Sequence, residues 1–183
     1  MIPPPMPAAA RAAARDAVQA YLRSADHGEG ALVEQVAATA MLLCEAFVGR
    51  ALIVREWTET MPASRAWQAL GIGPVQVIID VAALPATGVA SALPVESYAV
   101  DIDAEGIGWV RIEAAEATRV SVTFVAGIAA SWETLAEPLR QGIVVLAAHL
   151  AEARTSETAP PAAVAALWRP WRRMRLAVTE RCA

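Results

Sequence analysis

Lysine is absent from this chain of 183 residues, so all fifteen basic residues are arginine. This absence excludes the P-loop, Schiff-base and kinase-type sites, each of which needs a lysine. Cysteine is nearly absent too: Cys44 and Cys182 lie far apart, which indicates a reducing compartment and no disulfide framework. Together these absences exclude several enzyme classes and a disulfide-stapled secreted domain.

Long apolar runs are also missing. The longest, residues 142–151, is interrupted by His149 and is far shorter than the roughly 20 residues that a membrane span needs. The N-terminal segment places four prolines among its first seven residues and lacks the apolar stretch of a signal peptide. We therefore expect an intracellular protein with no membrane partner.

Residues that could perform catalysis or bind a metal are sparse. His27 and His149 are the only histidines, and neither has nearby cysteine or acidic partners at metal-ligand spacing. A G-x-S-x-G motif is absent, Cys44 lies within an apolar helical stripe, and the G-x-G pieces at residues 71–73 and 106–108 fit turns. We expect no enzymatic activity, no cofactor and no metal.

The apolar pattern predicts an α+β fold with segregated elements. A 3–4-residue period predicts helices over residues 8–23 and 29–48, and a second helical pair from Pro138 to residue 176, with a kink at Pro170. Between the pairs, residues 51–128 alternate apolar and polar positions, which is typical of antiparallel strands. We predict a single domain over residues 1–183: a Pro-rich leader (1–7), N-terminal helices (8–50), a β-rich insertion (51–128) and C-terminal helices (137–176).

Three of these element predictions concern particular side chains. Leu32, Val36, Ala40, Leu43 and Phe47 form the expected buried stripe of the second helix, widened by Val33, Ala37 and Cys44. Val77, Ile79 and Val81 are expected on one side of a strand. A hairpin connection is expected at residues 104–106.

Two charged clusters stand out. Asp101, Asp103 and Glu105 recur at every second position, and we favour a solvated strand face over a metal site for them. The segment 168–175 contains two tryptophans and four arginines, residue types that are enriched at binding hot spots. It fits a partner-binding surface, or equally a terminal helix whose tryptophans pack on its own core. Nucleic-acid binding is a third interpretation, with thinner support on an acidic chain.

Several segments together, in order, resemble the head–tail connector (adaptor) proteins of long-tailed phages and of phage-derived particles such as gene transfer agents. The resemblance covers residues 16–176. It is carried by these segments: 21–23, 29–36, 44–53, Trp57, 97–101, 122–127, 138–141, 146–149, Glu152, Arg154 and 170–173.

The resemblance implies a helical bundle with a β-rich insertion and a structural role. Such proteins form a ring, typically of twelve copies, under the portal, where they extend the DNA channel and receive the tail stopper. DNA would pass through without sequence-specific binding. The expected location is the bacterial cytoplasm during assembly, then the particle neck.

The resemblance also implies roles for particular residues. The portal-binding residues would be Trp168, Arg169, Trp171, Arg172, Arg173 and Arg175. The hypothesis for the acidic residues Asp101, Asp103, Glu105 and Glu113 is that they face the channel lumen or a neighbouring subunit, since an acidic lumen lets DNA slide. The alternative function is a small nucleic-acid-binding or regulatory protein that uses the C-terminal Arg/Trp segment; an enzyme on a β-rich scaffold ranks below both.

Overall fold

The computed structural model describes residues 3–22, 30–85, 90–113, 118–152, 159–173 and 180–181. The elements in chain order are α1 (Ala8–Leu22), α2 (Gly30–Val48), β1 (Arg55–Pro62), β2 (Trp67–Ala69), β3 (Val75–Leu84), β4 (Ser91–Ala92), β5 (Tyr98–Ile102), β6 (Gly108–Ile112), β7 (Arg119–Ala126), α3 (Glu137–Glu152), α4 (Ala162–Trp168) and β8 (Glu180–Arg181). The α+β class, with strands inserted between the second and third helices, is confirmed. Four residues singled out above lie outside the described residues: His27, Arg154, Arg175 and Cys182.

The chain divides into two compact units. The helical unit comprises Pro5–Ile53 and Ile128–Arg173, and the β unit comprises Met1–Pro4, Val54–Gly127 and Met174–Ala183. Each unit has its own set of buried apolar side chains. The prediction of one domain over residues 1–183 stays a prediction.

In the helical unit, the buried face of α2 overlaps the predicted stripe but excludes Leu43. Its buried residues are Val33, Ala37, Ala40, Met41, Cys44, Glu45 and Val48. Leu43, one of the five residues of the predicted stripe, is 46% exposed. The assignment of Leu43 to the core was therefore wrong, because α2 is apolar almost all round and its period fits more than one face.

The end of α2 is fixed by a buried carboxylate. Gly49 follows the helix with a positive φ of 67°, a conformation common for glycine just after a helix end. Glu45 is buried, and its Oε1 accepts a hydrogen bond of 2.7 Å from the backbone N–H of Leu52. The next residue, Ile53, forms a parallel bridge with Ala129. Glu45 thus fixes the segment that leads into the insertion, and that segment pairs with the one that follows the insertion.

Cys44 is expected to resist thiol reagents in the folded protein. Its side chain is fully buried, and burial, helped by the charge of Glu45, raises the pKa of the Cys44 thiol far above its usual range. Because the thiolate is the reactive form, we expect labelling of a Cys182→Ser variant to be at least about 100-fold slower in buffer than in denaturant. Reaction with Ellman's reagent measures this. Equal rates in both solvents would contradict the buried position.

The β unit contains two antiparallel sheets, with strand orders β1-β7-β3-β4 and β5-β6-β2-β8. On β7, Val120, Val122, Phe124 and Ala126 alternate with polar residues and are buried, as a half-buried strand requires. Strand β3 departs from the predicted alternation: register shifts lie between Val75 and Val77 and between Ile78 and Asp80. The prediction that Val77, Ile79 and Val81 share one side was wrong, because each shift reverses the alternation.

Candidate partner-binding surfaces

The C-terminal Arg/Trp segment is anchored by Trp168. This side chain is buried in the core of the helical unit, with its ring centroid 5.8 Å from that of Phe47. Its indole Nε1 donates a hydrogen bond of 3.4 Å to the carbonyl of Leu139 on α3. Gly142, one turn along α3, leaves the room that the indole occupies: a Cβ there would lie 2.1 Å from Nε1. Trp168 therefore docks α4 onto α3.

The residues after Trp168 leave the core progressively. Residues Arg169–Trp171 form a 3-10 turn in which Arg169 is exposed and Trp171 is half-buried against the same core. Arg172 is exposed, and its guanidinium carbon lies 5.7 Å from the centroid of the Phe47 ring. Arg173 is half-buried, and its backbone N–H donates a hydrogen bond of 2.8 Å to the carbonyl of Val48.

The segment contains an anchoring residue and, after it, residues exposed at the surface. Trp168 has the structural role that the sequence left open, since its side chain is inside the protein's own core. Arg169 and Arg172 present their charges at the surface on a backbone fixed on both sides, by Trp168 and by the bond from Arg173 to Val48. This preorganisation favours recognition of an acidic partner, because less conformational entropy is lost on binding.

The acidic cluster is built around a hairpin turn. The turn joins β5 to β6, as predicted, and Gly106 adopts a positive φ of 74° in it. Oδ1 of Asp103 accepts hydrogen bonds from the backbone N–H groups of Glu105 and Ile107, at 3.1 and 2.8 Å. Its Oδ2 accepts a bond of 2.9 Å from the indole Nε1 of Trp109. Asp103 therefore shapes the turn.

Replacing Asp103 by asparagine is expected to destabilise the β unit by about 1–2 kcal/mol. The amide oxygen can keep the two backbone bonds, but its NH₂ group then meets the indole N–H of Trp109, and two donors cannot bond. Glu105→Gln, at an exposed carboxylate of the same turn, is the matched control and should change stability by less than about 0.5 kcal/mol. Urea denaturation measures both. Equal midpoints for the two variants would show that the bond to Trp109 contributes nothing.

The remaining acidic residues are exposed. Asp101 lies on β5 opposite Trp109, and Glu105 lies in the turn. Glu113 forms an ion pair with Arg111, whose guanidinium carbon is 5.0 Å from the Trp67 ring centroid. Glu105 is thus the residue with which to test the channel hypothesis first, because Asp103 shapes the turn and Glu113 pairs with Arg111.

Two exposed apolar surfaces were not predicted from the sequence. One comprises the six exposed residues of α2: Ala31, Gln35, Thr39, Leu42, Leu43 and Ala46. We call it the α2 face. The other, which we call the β patch, comprises Val77 and Ile79 on β3 and Val100 and Ile102 on β5, all more than one third exposed. Apolar side chains that recur at helical or strand period are assigned to a core, so no local pattern signals their exposure.

Comparison with protein-family models and with curated protein sequences finds no match. Solved structures do match. A chain of the neck of an empty gene transfer agent (GTA) particle, computed with C6 symmetry, is 26% identical with a TM-score of 0.77, and the match covers 99% of this chain and 100% of that one. A chain of the neck of a native GTA particle, computed with C12 symmetry, is 25% identical with a TM-score of 0.71 and the same coverage.

A third match comes from the virion of a native GTA particle. It is 27% identical with a TM-score of 0.68, and covers 92% of this chain and 91% of that chain. The match to both neck structures runs through the helices and the inserted strands alike, because it spans nearly the full length of each chain. The resemblance to the phage-type head–tail connector proteins, inferred above from ordered sequence segments, is therefore confirmed by whole-chain similarity to chains from gene transfer agent necks.

Proposed function

We propose that this chain is a structural subunit of the neck of a phage-like particle, and specifically the adaptor that joins the capsid to the tail. In this role copies form a ring under the portal, extend the DNA channel and receive the tail-completion protein. The chain performs no catalysis there. The observation that carries the proposal is the whole-length match to chains of GTA necks.

The symmetry of those necks supports a ring. They were computed with C6 and C12 symmetry, so equivalent chains recur around the axis of the neck. A ring of this chain needs head-to-tail contacts, in which two different surfaces of one subunit meet its two neighbours. We propose a ring of twelve copies.

The arginines of the C-terminal segment are the proposed contact with the portal. The exposed Arg169 and Arg172 would pair with carboxylates of the portal, while Trp168 holds the segment in place from within. The half-buried Trp171 and Arg173 complete this surface. Arg175, which lies outside the described residues, remains part of the proposed set.

The acidic hairpin is the proposed channel-facing or intersubunit element. Asp101, Asp103, Glu105 and Glu113 belong to a chain with a net charge of −4. Repeated around a ring, exposed carboxylates such as Asp101 and Glu105 repel DNA phosphates and let DNA pass without being held.

Deletion of the gene in particle-producing cells tests the function. We expect DNA-filled heads that lack tails, because the joining ring is missing, and restored tails when the chain is supplied in trans. Electron microscopy of the released particles distinguishes the two. Normally tailed particles from the deletion strain would overturn the proposal.

Charge reversal tests the portal contact without disturbing the fold. Arg169→Glu together with Arg172→Glu should weaken capture by the portal protein of the same gene cluster at least about tenfold, because opposed carboxylates repel. Arg119→Glu, an exposed arginine of β7, is the matched control and should bind normally. Deleting residues 160–183 is less informative, because it also removes Trp168 from the core. Normal binding by the double variant would refute the assignment.

A further inference from the structure

The α2 face carries no charged side chain along the whole of a 19-residue helix. The only charged residues of α2 are Glu34 and Glu45. Glu45 is buried, and Glu34 pairs with Arg11 and Arg15 of α1 at 3.3 and 3.7 Å. The charges of α2 are therefore engaged within the subunit, away from its exposed face.

Apart from the amide of Gln35, the side chains of the α2 face offer water few polar groups. Leu42 and Leu43 are 38% and 46% exposed. Even the Thr39 hydroxyl is used internally, since it donates a hydrogen bond of 2.9 Å to the carbonyl of Gln35. Exposed leucines on a helix face that carries no charge indicate a place where another molecule binds.

The chemistry of this surface limits the kinds of molecule that can bind to it. DNA is excluded, because binding to phosphates needs arginines or lysines. Gly30–Val48 has a mean hydropathy of 1.6 and is long enough to cross a membrane by length and composition. Crossing would, however, strip Ala37, Met41 and Cys44 from the core in which they are fully buried. A helix lying on a membrane surface normally carries basic residues beside its apolar face, and α2 has none.

A second copy of the chain supplies a matching surface. The β patch is apolar as well: Val77 and Ile79 are 48% and 53% exposed on β3, which contacts β5 within the β unit. β5 carries Val100 and Ile102 and is the edge strand of its sheet. Two different apolar surfaces on one chain are what a head-to-tail ring contact requires, one for each neighbour.

We propose that the α2 face of one copy binds the β patch of the next copy, and that this contact closes the ring. The inference rests on the proposed function, since it assigns the surfaces by which neck subunits meet. Burial of both surfaces removes from water the leucines, valines and isoleucines that each subunit leaves exposed.

Charge substitutions test the two surfaces together. Leu43→Glu should lower incorporation into particles at least tenfold while the isolated chain keeps its cooperative unfolding transition. Gln141→Glu, at an exposed position of α3, is the matched control and should be incorporated normally. Adding Ile79→Arg should restore incorporation of the Leu43→Glu chain, because the new charges pair across the contact. Normal incorporation of Leu43→Glu, or no rescue by Ile79→Arg, would overturn the pairing.

Cross-linking identifies the neighbour directly. In a Cys182→Ser background, Leu43→Cys combined with Ile79→Cys and treated with a short bis-maleimide should give a ladder of multimers from purified particles. Each single-cysteine variant should give none. Dimers from Leu43→Cys alone would show that two α2 faces contact each other. If the double variant gave no ladder, the α2 face and the β patch of neighbouring copies would not be in contact. Either result overturns the proposal.

Three further outcomes distinguish failure of this inference from failure of the function on which it rests. Flotation of the purified chain with phosphatidylcholine or phosphatidylglycerol vesicles would assign the α2 face to a membrane and overturn the inference. If the chain is present in the neck but neither substitution nor cross-linking has an effect, the contact is wrong and the neck function stands. If the chain is absent from particles, both fall.

Discussion

Replacement of Gly142 by alanine is expected to destabilise the helical unit by about 1–3 kcal/mol, although the same change in an ordinary helix stabilises it by about 1 kcal/mol. The reason is the indole of Trp168. An alanine Cβ at position 142 would lie 2.1 Å from its Nε1 and 2.8 Å from its Cδ1. The tryptophan must then leave its site in the core or force α3 and α4 apart.

Trp168→Ala is expected to cost more, about 3–5 kcal/mol, because it empties a large site in the core. In that background Gly142→Ala should change sign and stabilise by about 0.5–1 kcal/mol. The two residues should therefore show a coupling energy of about 1.5–4 kcal/mol in a double-mutant cycle. Urea denaturation of the four proteins gives this value.

Ala151→Gly, near the end of α3, is the control for ordinary helix propensity and should cost about 1 kcal/mol. Glycine is thus expected to be the more stable residue at position 142, and alanine the more stable residue at position 151. This difference follows from the packing of Trp168 against α3. A stabilising Gly142→Ala in the wild-type background would mean that Trp168 does not sit against α3.

Replacement of Glu45 by alanine is expected to destabilise the protein by about 2–3 kcal/mol. The change leaves the backbone N–H of Leu52 without its acceptor, and Leu52 is fully buried. An unsatisfied buried donor is costly because water cannot reach it. The loss should loosen the strand bridge between Ile53 and Ala129 as well. Hydrogen exchange of the amide of Leu52 should accelerate together with the fall in thermal stability.

Two controls separate this hydrogen bond from other effects. Glu45→Gln keeps a carbonyl oxygen at the same reach and should recover most of the loss. Glu34→Ala changes the same residue type on the same helix, but its partners Arg11 and Arg15 are at the surface, so it should cost less than about 1 kcal/mol. A Glu45→Gln variant as unstable as Glu45→Ala would place the effect in the charge of Glu45.

Much of the fold follows from local patterns. The period of apolar residues located α1 and α2 to within one residue at each end, because helix ends carry their own signals, such as Gly49 after Val48. Alternation located β5 to β7, and the Ala-Glu-Gly sequence located the hairpin turn, since a positive φ at Gly106 needs glycine.

Other features could not be predicted locally. Which face of α2 is buried depends on what α1 and α3 present to it, because the helix is apolar on more than one side. The exposure of Val77 and Ile79 depends on register shifts in β3, which are set by its pairing with β7.

For the candidate sites, composition alone located the Arg/Trp segment, and the absence of lysine left arginine as the source of every basic side chain. Only the tertiary structure divided that segment into an anchor and a surface, by placing Gly142 of α3 beneath the indole of Trp168. It likewise gave Asp103 its role in the turn, through a bond to Trp109 six residues away. The sequence by itself determined which residue types and local conformations are available. Packing between distant segments decided which side chains are buried, because burial depends on neighbours that no local pattern encodes.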